Sequence, residues 1–454
     1  MNRRDFFARS LTLATAAACT RSARAADARP NILLIMVDDM GFSDIGCYGG
    51  EIETPNLDRL AANGLRFSQF YNTGRCCPTR AALMTGLYPH QAGVGHMTDD
   101  KGQDGYRGDL NAHCVTIAEA LKPAGYSTYM VGKWHVTRFA DPKTDEERHN
   151  WPIQRGFDRF YGTPAGAKNF WRPVGLTRDN APVTEPLPED YYYTDAITEN
   201  MALFLREHHA AKPDTPFFAY FAHTAPHWPL HAHQADIDHY RGKYRVGWDE
   251  IRKRRFAKQR DLGFVTDAWK VSPRHPDVPA WDTLDAKQQD ESDLLMSIYA
   301  AMITTMDRSI GRMVDVLEET GRLDNTLILF LADNGGCAEG GVLGGLNLKN
   351  DQARPGGPDS DPRLGGAWAN ANNTPFRWFK HYVHEGGAGS PLIVHWPAKV
   401  AGDARGSLRN QPGHVIDIMA TCLDVAGAAY PTERHGERVL PTEGTSLVPA
   451  FDNQ

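Results

Sequence analysis

A short segment at residues 76–80 combines residue types that suit anion chemistry. It reads Cys-Cys-Pro-Thr-Arg. Pro78 suits the first turn of a helix, because the N–H that proline lacks would have no helical partner there. Cys76 would then lie at a helix N-terminus, where free N–H groups and the helix dipole favour an anion. A thiol in that place is either a nucleophile with a lowered pKa or, more plainly, a buried structural cysteine.

Four oxygen-bearing side chains form a second signal, namely Asp38, Asp39, Asp333 and Asn334. Clustered carboxylates repel one another unless a cation neutralises them. Oxygen ligands suit a hard ion such as Ca²⁺ or Mg²⁺. Taken separately, each pair would more often cap a helix. Because both pairs directly follow apolar segments, together they predict a metal site.

Four basic residues complete the set of candidates. Lys133 and His135 occur in Gly-Lys-Trp-His, His227 ends Thr-Ala-Pro-His, and Lys380 ends Asn-Thr-Pro-Phe-Arg-Trp-Phe-Lys. A lone histidine is more often structural than catalytic, and a lone lysine is usually a surface residue. Their meaning therefore depends on whether the fold brings them together.

Apolar segments precede most of these candidates. Four of them are short and continuous, at 31–37, 126–131, 217–222 and 326–332. Each predicts a strand that is buried on both faces of a parallel sheet. Each also runs directly into polar or ionisable residues at its carboxyl end.

Helical patterns alternate with these strands. Thr-Ile-Ala-Glu at 116–119 predicts a capping box, and Pro123 and Gly125 predict the end of that helix. Apolar residues spaced by three and four predict a second helix over 299–317, with Gly321 as its stop. The alternation predicts an α/β fold, a doubly wound and mostly parallel sheet flanked by helices. Ligands of such sheets bind beyond the carboxyl ends of the strands.

Charge and composition exclude other classes. The chain has 454 residues and a formal charge of −7, from 49 basic and 56 acidic residues. No cationic field for a nucleic acid follows from that balance. Seven cysteines are too few for a disulfide scaffold in a chain of this length. Two stretches break the strand–helix rhythm: 229–290 is interpreted as a surface excursion whose basic run at 252–255 is a solvated face, and 335–375 as a long loop at the site's rim.

The N-terminus resembles an export signal. Paired arginines at 3–4 precede an apolar run at 11–18 and small residues up to Ala25. This order predicts a twin-arginine signal peptide over 1–25 and an exported protein, periplasmic or extracellular. Lipid attachment at Cys19 is the less favoured alternative, because the usual aliphatic residue three positions earlier is missing. No later segment is long and apolar enough to predict a transmembrane helix.

The motif at 76–80, followed by Leu-Met-Thr-Gly86, resembles the signature of the formylglycine-dependent sulfatases, arylsulfatase type, of the alkaline phosphatase superfamily. The resemblance extends over about residues 30 to 450. It implies that a formylglycine-generating enzyme oxidises Cys76 to Cα-formylglycine. It also implies one Ca²⁺, with Mg²⁺ less favoured, and its ligands are Asp38, Asp39, residue 76, Asp333 and Asn334. The implied catalytic positions are Cys76, Arg80, Lys133, His135, His227, Asp333 and Lys380.

Each of these positions has an implied role. Hydrated formylglycine attacks sulfur, and Asp333 accepts the proton of the attacking hydroxyl. His227 and Lys380 protonate or stabilise the leaving oxygen. His135 removes the proton of the second hydroxyl and so expels sulfate. Arg80 and Lys133 hold the diol and offset the charge of the sulfate.

Three readings of the function stay open. The first is hydrolysis of a sulfate ester, of an aryl compound first and of a saccharide second. The second is a phosphonate monoester or phosphodiester hydrolase of the same superfamily, and the third is a non-catalytic binder of sulfated glycans.

Family members usually continue past a segment like Gly444–Leu447 with a small sheet and a helix. We therefore expect that small sheet to be missing or incomplete and apolar surface to be exposed near Gln454, with residues 26–454 as one catalytic domain. The sequence leaves the oligomeric state undetermined.

Overall fold

A large mixed sheet forms the centre of the protein. The computed structural model describes residues 29–166, 168–400 and 402–452. The predicted signal peptide at 1–25, with Cys19, lies outside these residues, so export stays a prediction. Within the described ranges, no helix combines the length and the apolar character that crossing a membrane requires.

Eleven strands build this sheet. They are β1 Asn31–Val37, β2 Leu65–Tyr71, β3 Ser127–Lys133, β4 Arg159–Thr163, β5 Thr177–Arg178, β6 Ala181–Pro182, β7 Phe217–Ala222, β8 Thr326–Ala332, β9 Gly389–His395, β10 Ser407–Arg409 and β11 Gly413–His414. Their order is β10-β2-β9-β8-β1-β7-β3-β4-β5-β6, and β11 pairs with β2. The central strands from β8 to β4 are parallel, whereas β9 runs antiparallel to both of its neighbours.

The four predicted strands are confirmed and lie next to one another as β8, β1, β7 and β3. Their register aligns the carboxyl ends, since Val37 pairs with Ala332, Met36 with Ala222, and Gly132 with the same Ala222. Every residue of these four strands is buried, as a sheet covered on both faces requires. The segments that follow the strands therefore meet at one edge of the sheet.

Helices cover both faces of the sheet. They are α1 Pro55–Ala62, α2 Cys76–Thr85, α3 Ile117–Leu121, α4 Tyr193–Ala211, α5 Gln234–Tyr240, α6 Trp248–Asp261, α7 Ala286–Glu319, α8 Gly366–Asn372, α9 Glu385–Ala388, α10 Asp417–Ala426 and α11 Val448–Phe451. Helices α1 and α4 to α8 contribute to the apolar core on one face. Helices α2, α3, α10 and α11 contribute to the core on the other face. This arrangement confirms the predicted fold class.

Two predicted helices have the expected ends. The Thr116 side chain accepts a hydrogen bond from the Glu119 N–H, and the Glu119 carboxylate accepts one from the Thr116 N–H. Helix α3 then ends before Gly125, which has a left-handed φ of 84°. Helix α7 contains the whole predicted span 299–317 and is followed by Gly321 at φ 65°. Local sequence signals therefore determine these boundaries.

The excursion at 229–290 is more ordered than the sequence indicates, because it contains α5 and α6. The interpretation of its basic run as a solvated face is wrong for Arg252 and Arg255, which are buried. Lys253 and Arg254 do face solvent, with side chains 81% and 58% exposed. Residues three apart share one side of a helix, so α6 directs the first and last members of the run inward and the two between them outward.

The rim segment and the C-terminal part also contain regular structure. The predicted loop 335–375 includes α8. Near the C-terminus, β12 Glu433–Arg434 and β13 Glu437–Arg438 form a separate two-stranded sheet. Leu447 and Phe451 are buried, and over the described residues 430–452 Leu440 is the exposed large apolar side chain, at 36%. The described residues therefore do not bear out the apolar surface expected there.

Candidate active site

The carboxyl edge of the sheet collects the predicted metal ligands. Asp38 and Asp39 follow β1, and Asp333 and Asn334 follow β8. All four side chains are buried. The Asp39 N–H lies 3.4 Å from Oδ1 of Asp333. Strand pairing thus places side by side two short segments that are distant in sequence.

Arg80 joins helix α2 to this cluster. It lies one turn after Cys76, and its Nε and Nη2 donate to Oδ2 of Asp333 at 2.9 and 2.8 Å. Its Nη1 donates to the carbonyl oxygen of Lys133 at 2.9 Å. Burial lowers the pKa of Arg80, but the negative groups around it, Asp333 foremost and Asp38 among them, together raise that pKa above its ordinary value. Arg80 is therefore a permanent buried cation.

Lys133 provides a second buried cation. Its Nζ donates to Oδ2 of Asp38 at 2.5 Å, and Asp38 raises the pKa of Lys133 against the lowering effect of burial. The preceding Gly132 has a φ of 96°, and a Cβ there would lie 1.8 Å from the carbonyl oxygen of Ala222. Only glycine allows β3 to pass so close to β7. This close approach sets the position of Lys133.

Lys380 and His227 form a third group, around Asp39. Nζ of Lys380 lies 2.9 and 3.0 Å from the two carboxylate oxygens of Asp39. Nε2 of His227 is 3.4 Å from this Nζ and 3.5 Å from Oδ2 of Asp39. Burial lowers the pKa of Lys380, but Asp39 raises it well above its ordinary value. Burial acts to raise the pKa of Asp39, yet His227 and Lys380 hold it below its ordinary value.

Two buried oxygens of the cluster have no hydrogen-bond donor among the described residues, namely Oδ1 of Asp38 and Oδ1 of Asn334. A buried acceptor without a partner costs free energy. Burial and the nearby Asp38 also raise the pKa of Asp333 well above its ordinary value, which reports crowding of carboxylates. A hard divalent cation would relieve both effects, so the residues present fit such an ion.

The charges of the site balance before any ion is counted. The three buried carboxylates are those of Asp38, Asp39 and Asp333. They face three buried cations, which are Arg80, Lys133 and Lys380. One divalent cation would leave an excess of two positive charges. In a buried site with little screening, this excess attracts an anion.

Cys76 is the first residue of α2, as predicted, and is 2% exposed. Its hydrogen bond with Cys77 and the charge of Lys133 hold the pKa of the Cys76 thiol well below its ordinary range, although burial acts to raise it. His135 lies beside it with a left-handed φ of 61°. Burial and the charge of Lys133 lower the pKa of His135, and within the described part of the chain its Nδ1 has no hydrogen-bond partner. The thiol therefore faces a neutral imidazole with a free nitrogen.

Comparison with known proteins agrees with this arrangement. The family model described as Sulfatase matches residues 30–428. The chain belongs to the sulfatase family. An arylsulfatase of Klebsiella aerogenes is 33% identical to this sulfatase over 440 residues, covering 92% of this chain and 91% of the relative. A sulfatase of Schizosaccharomyces pombe is also 33% identical, covering 93% and 80% of the two chains.

Solved structures show the same fold. The crystal structure of Ps i-CgsB in complex with k-i-k-neocarrahexaose superimposes with a TM-score of 0.64 and 26% identity, covering 93% of this chain and 76% of that one. Sulfatases are sulfuric ester hydrolases, and members of the family generally use formylglycine and a divalent metal ion. Hydrolysis of sulfate esters is therefore the activity of this chain's family.

The fold also brings residues to the sulfatase site that sequence reasoning missed. Glu339 lies 3.7 Å from Nζ of Lys380 and accepts from Nε2 of His381 at 2.9 Å. The His381 hydrogen bond lowers the pKa of Glu339 to about 2. Its segment is rich in glycine and has no periodic pattern, so no local signal marks this residue. His231, which lies four residues after His227 in the sequence, has a different environment. Nε2 of its ring forms a hydrogen bond with the carbonyl oxygen of Ser360 at 3.0 Å.

Proposed function

We propose that this sulfatase hydrolyses sulfate esters through residue 76 after a formylglycine-generating enzyme has oxidised Cys76 to Cα-formylglycine. The single observation that carries the proposal is the position of Cys76 at the start of α2, next to His135 and Lys133 and close enough to Asp333 for their charges to interact. Hydrated formylglycine supplies an oxygen nucleophile, and a bound divalent cation neutralises carboxylates and polarises the sulfate group.

We assign the cation to an all-oxygen set. The ligands are Asp38, Asp39, Asp333, Asn334 and residue 76. The two oxygens without donors, on Asp38 and Asn334, support this assignment. Ca²⁺ is the first choice because it accepts many carboxylate and carbonyl ligands, whereas Mg²⁺ usually retains several waters.

Arg80 and Lys133 act as fixed positive charges. Arg80 occupies Oδ2 of Asp333 and so leaves Oδ1 as the atom that accepts the proton of the attacking hydroxyl. Lys133 is held by Asp38, through Nζ at 2.5 Å from Oδ2. Both cations orient residue 76 and offset the negative charge of a bound sulfate. Because both are buried, they need no reorganisation when that charge develops.

His227 and Lys380 serve the leaving group. Their Nε2 and Nζ atoms are 3.4 Å apart, so both reach one leaving oxygen. Either can donate a proton to the alcohol or phenol that departs. His227 is the more exposed of the two, with a side chain 15% exposed against 3% for Lys380. We therefore place the leaving group on the side of His227.

His135 acts in the second half of the reaction. Its lowered pKa keeps the imidazole neutral near neutral pH, and Nδ1 is free to accept a proton. It takes this proton from the second hydroxyl of residue 76, and sulfate departs. Two different bases therefore act on residue 76. Asp333 accepts the proton of the attacking hydroxyl, and His135 accepts the proton of the second hydroxyl.

The relatives suggest the first substrates to test. The Klebsiella aerogenes relative is an arylsulfatase, which supports aryl sulfates as the first class. The complex of Ps i-CgsB with a saccharide supports sulfated saccharides as the second. We also propose residues 26–454 as the catalytic domain and residues 1–25 as a twin-arginine export signal, which places the enzyme outside the cytoplasm.

Mass spectrometry and activity together test the proposal. The protein is made with and without a formylglycine-generating enzyme, and the tryptic peptide that begins at Cys76 is measured. Oxidation of the thiol to the aldehyde removes about 18 Da. Hydrolysis of an aryl sulfate and of a phosphonate monoester is then followed with and without a chelator.

The expected result is turnover of the aryl sulfate only by the converted protein, lost with chelator and restored by Ca²⁺. Cys422→Ala is the matched control, because this buried cysteine of α10 has no place in the site. Faster turnover of the phosphonate would assign the protein to the phosphonate hydrolases. Conversion without turnover of any ester would favour a non-catalytic binder of sulfated glycans.

A further inference from the structure

The unconverted chain contains a cluster of sulfur and nitrogen ligands that the proposed reaction does not use as such. One ligand atom each from Cys76, Cys77 and His135 lies within 4.8 Å of the other two. Both cysteines are buried in the first turn of α2, and His135 follows the end of β3. Among the residues that the structure describes, neither of these thiols takes part in a disulfide.

These three groups suit a different class of metal from the oxygen cluster beside them. Thiolate and imidazole are the ligands of Zn²⁺ and related soft or borderline ions, whereas Ca²⁺ requires oxygen. Nδ1 of His135 is buried, and no group of residues 29–166, 168–400 or 402–452 forms a hydrogen bond with it. Three protein ligands of this kind, with the fourth position left to water or another small ligand, are the arrangement of open zinc sites.

We propose that, before Cys76 is oxidised, this chain binds one zinc-like divalent cation through Sγ of Cys76, Sγ of Cys77 and a ring nitrogen of His135. Binding needs both groups as thiolates, so any proton still on Sγ of Cys76 or Cys77 leaves as the metal–sulfur bond forms. The two thiolates then neutralise the two charges of the ion. The site needs only the thiol form of the chain, so it does not depend on the proposed sulfatase reaction.

Neighbouring charges permit this binding. Lys133 is a cation whose charge acts on both thiols, but its ammonium group already donates to Asp38 at 2.5 Å. The guanidinium group of Arg80 is likewise engaged with Asp333. Both cations are therefore paired with carboxylates, and the two thiolates stay available to a metal ion.

Residue 76 then belongs to two metal sites at different stages. As cysteine it provides one of three ligands of the soft site. Oxidation to the aldehyde removes its sulfur, and Cys77 with His135 is too small a set to hold the ion tightly. Conversion therefore abolishes the soft site while the oxygen ligands of Asp38 and Asp39 stay in place.

Cobalt binding tests the inference. Unconverted protein is titrated with Co²⁺ in excess Ca²⁺, so that the oxygen cluster is occupied by Ca²⁺. Thiolate-to-cobalt charge-transfer absorption reports sulfur ligands specifically, and Zn²⁺ is then added to displace the cobalt. We expect one Co²⁺ per chain with thiolate absorption, and no such absorption in converted protein.

Substitutions identify the ligands. Cys77→Ala and Cys77→Ser should each weaken Co²⁺ binding about 100-fold or more, because loss of a group that merely supports a ligand already costs 10- to 100-fold. Cys422→Ala should bind as the parent does. Circular dichroism identifies any variant that fails to fold, and converted protein, which needs no substitution at 77, gives an independent control.

Either of two results would overturn the inference. Absence of thiolate absorption in folded, unconverted protein would mean that the thiols do not bind the ion. Equal absorption in converted protein or in both Cys77 variants would place the metal elsewhere. Neither result bears on hydrolysis of sulfate esters, which is measured on converted protein, so the two proposals fail separately.

Discussion

Arg255 of helix α6 should stabilise the loop that carries two of the proposed metal ligands. Its Nη1 donates to Oδ1 of Asp44 at 2.6 Å, and its Nε and Nη2 donate to Glu51 at 2.8 Å each. Oδ2 of Asp44 accepts from the Gly41 N–H and from the hydroxyl group of Tyr299, at 2.7 Å each. The perturbation is Arg255→Met, which keeps much of the side-chain volume and removes the charge.

The burial of the partners sets the magnitude. Removal of one member of a buried ion pair costs about 3–5 kcal/mol, since the other charge is left uncompensated. Burial raises the pKa of Asp44 to about 6 even though Arg255 lowers it. Without Arg255, Asp44 can become protonated, and this limits the loss. Glu51 is 32% exposed and can be solvated. We therefore expect a loss near the lower limit, about 3 kcal/mol.

Urea denaturation at neutral pH measures this loss. Arg254→Met is the matched control, because Arg254 is the neighbouring residue of the same helix, 58% exposed, and pairs with Glu250 on the surface. We expect this control to lose less than about 1 kcal/mol. Asp44→Asn combined with Arg255→Met should recover part of the loss, because no buried carboxylate is then left without its cation.

The same substitution should also affect the site. Tyr299 donates to the carbonyl oxygen of Asp39 as well as to Asp44, so the network reaches the proposed metal ligands. We expect weaker Ca²⁺ binding by Arg255→Met at a temperature where the protein is still folded. If Arg255→Met and Arg254→Met had the same free energy of unfolding, the reasoning on the buried charge would be refuted.

Three further predictions concern separate parts of the molecule. Lys380→Met should lower kcat for aryl sulfates with poor leaving groups by about 100-fold, because Lys380 assists the departing oxygen. The kcat for aryl sulfates with good leaving groups should change little. A series of substituted phenyl sulfates measures this dependence, and an equal loss of kcat across the series would contradict it. Ca²⁺ at a hundred times its Kd should raise the free energy of unfolding by about 2.7 kcal/mol, and Asp38→Asn should abolish that rise in a thermal-shift assay; an unchanged rise would place the ion elsewhere. Burial raises the pKa of Asp307 to about 6 against its backbone hydrogen bonds from α1, so the folded state binds the extra proton and the free energy of unfolding falls as pH rises from about 4 to about 6. Asp307→Asn should remove about 3 kcal/mol of that fall, and denaturation curves that keep the same pH dependence would disprove the assignment.

Several features of this protein follow from local sequence alone. The four apolar segments become β1, β3, β7 and β8 within two residues of the predicted bounds. The capping box at Thr116 and the helix start at Cys76 are also where the pattern predicts them. Each of these signals lies within a few residues, because capping, backbone restriction and periodic burial act between near neighbours in the chain. The motif at 76–80 was likewise sufficient to indicate the family.

Tertiary structure alone decided how charges are paired. Arg255 belongs to a basic run that looks solvated, yet it is buried against Asp44 and Glu51. Glu339 comes from a glycine-rich segment without any pattern and lies beside Lys380. Whether a charged side chain is solvated, paired or bound to a metal depends on burial and on partners that are far away in sequence. The sequence by itself thus determined which residues could do the chemistry, and the packing of distant segments decided which charges surround them.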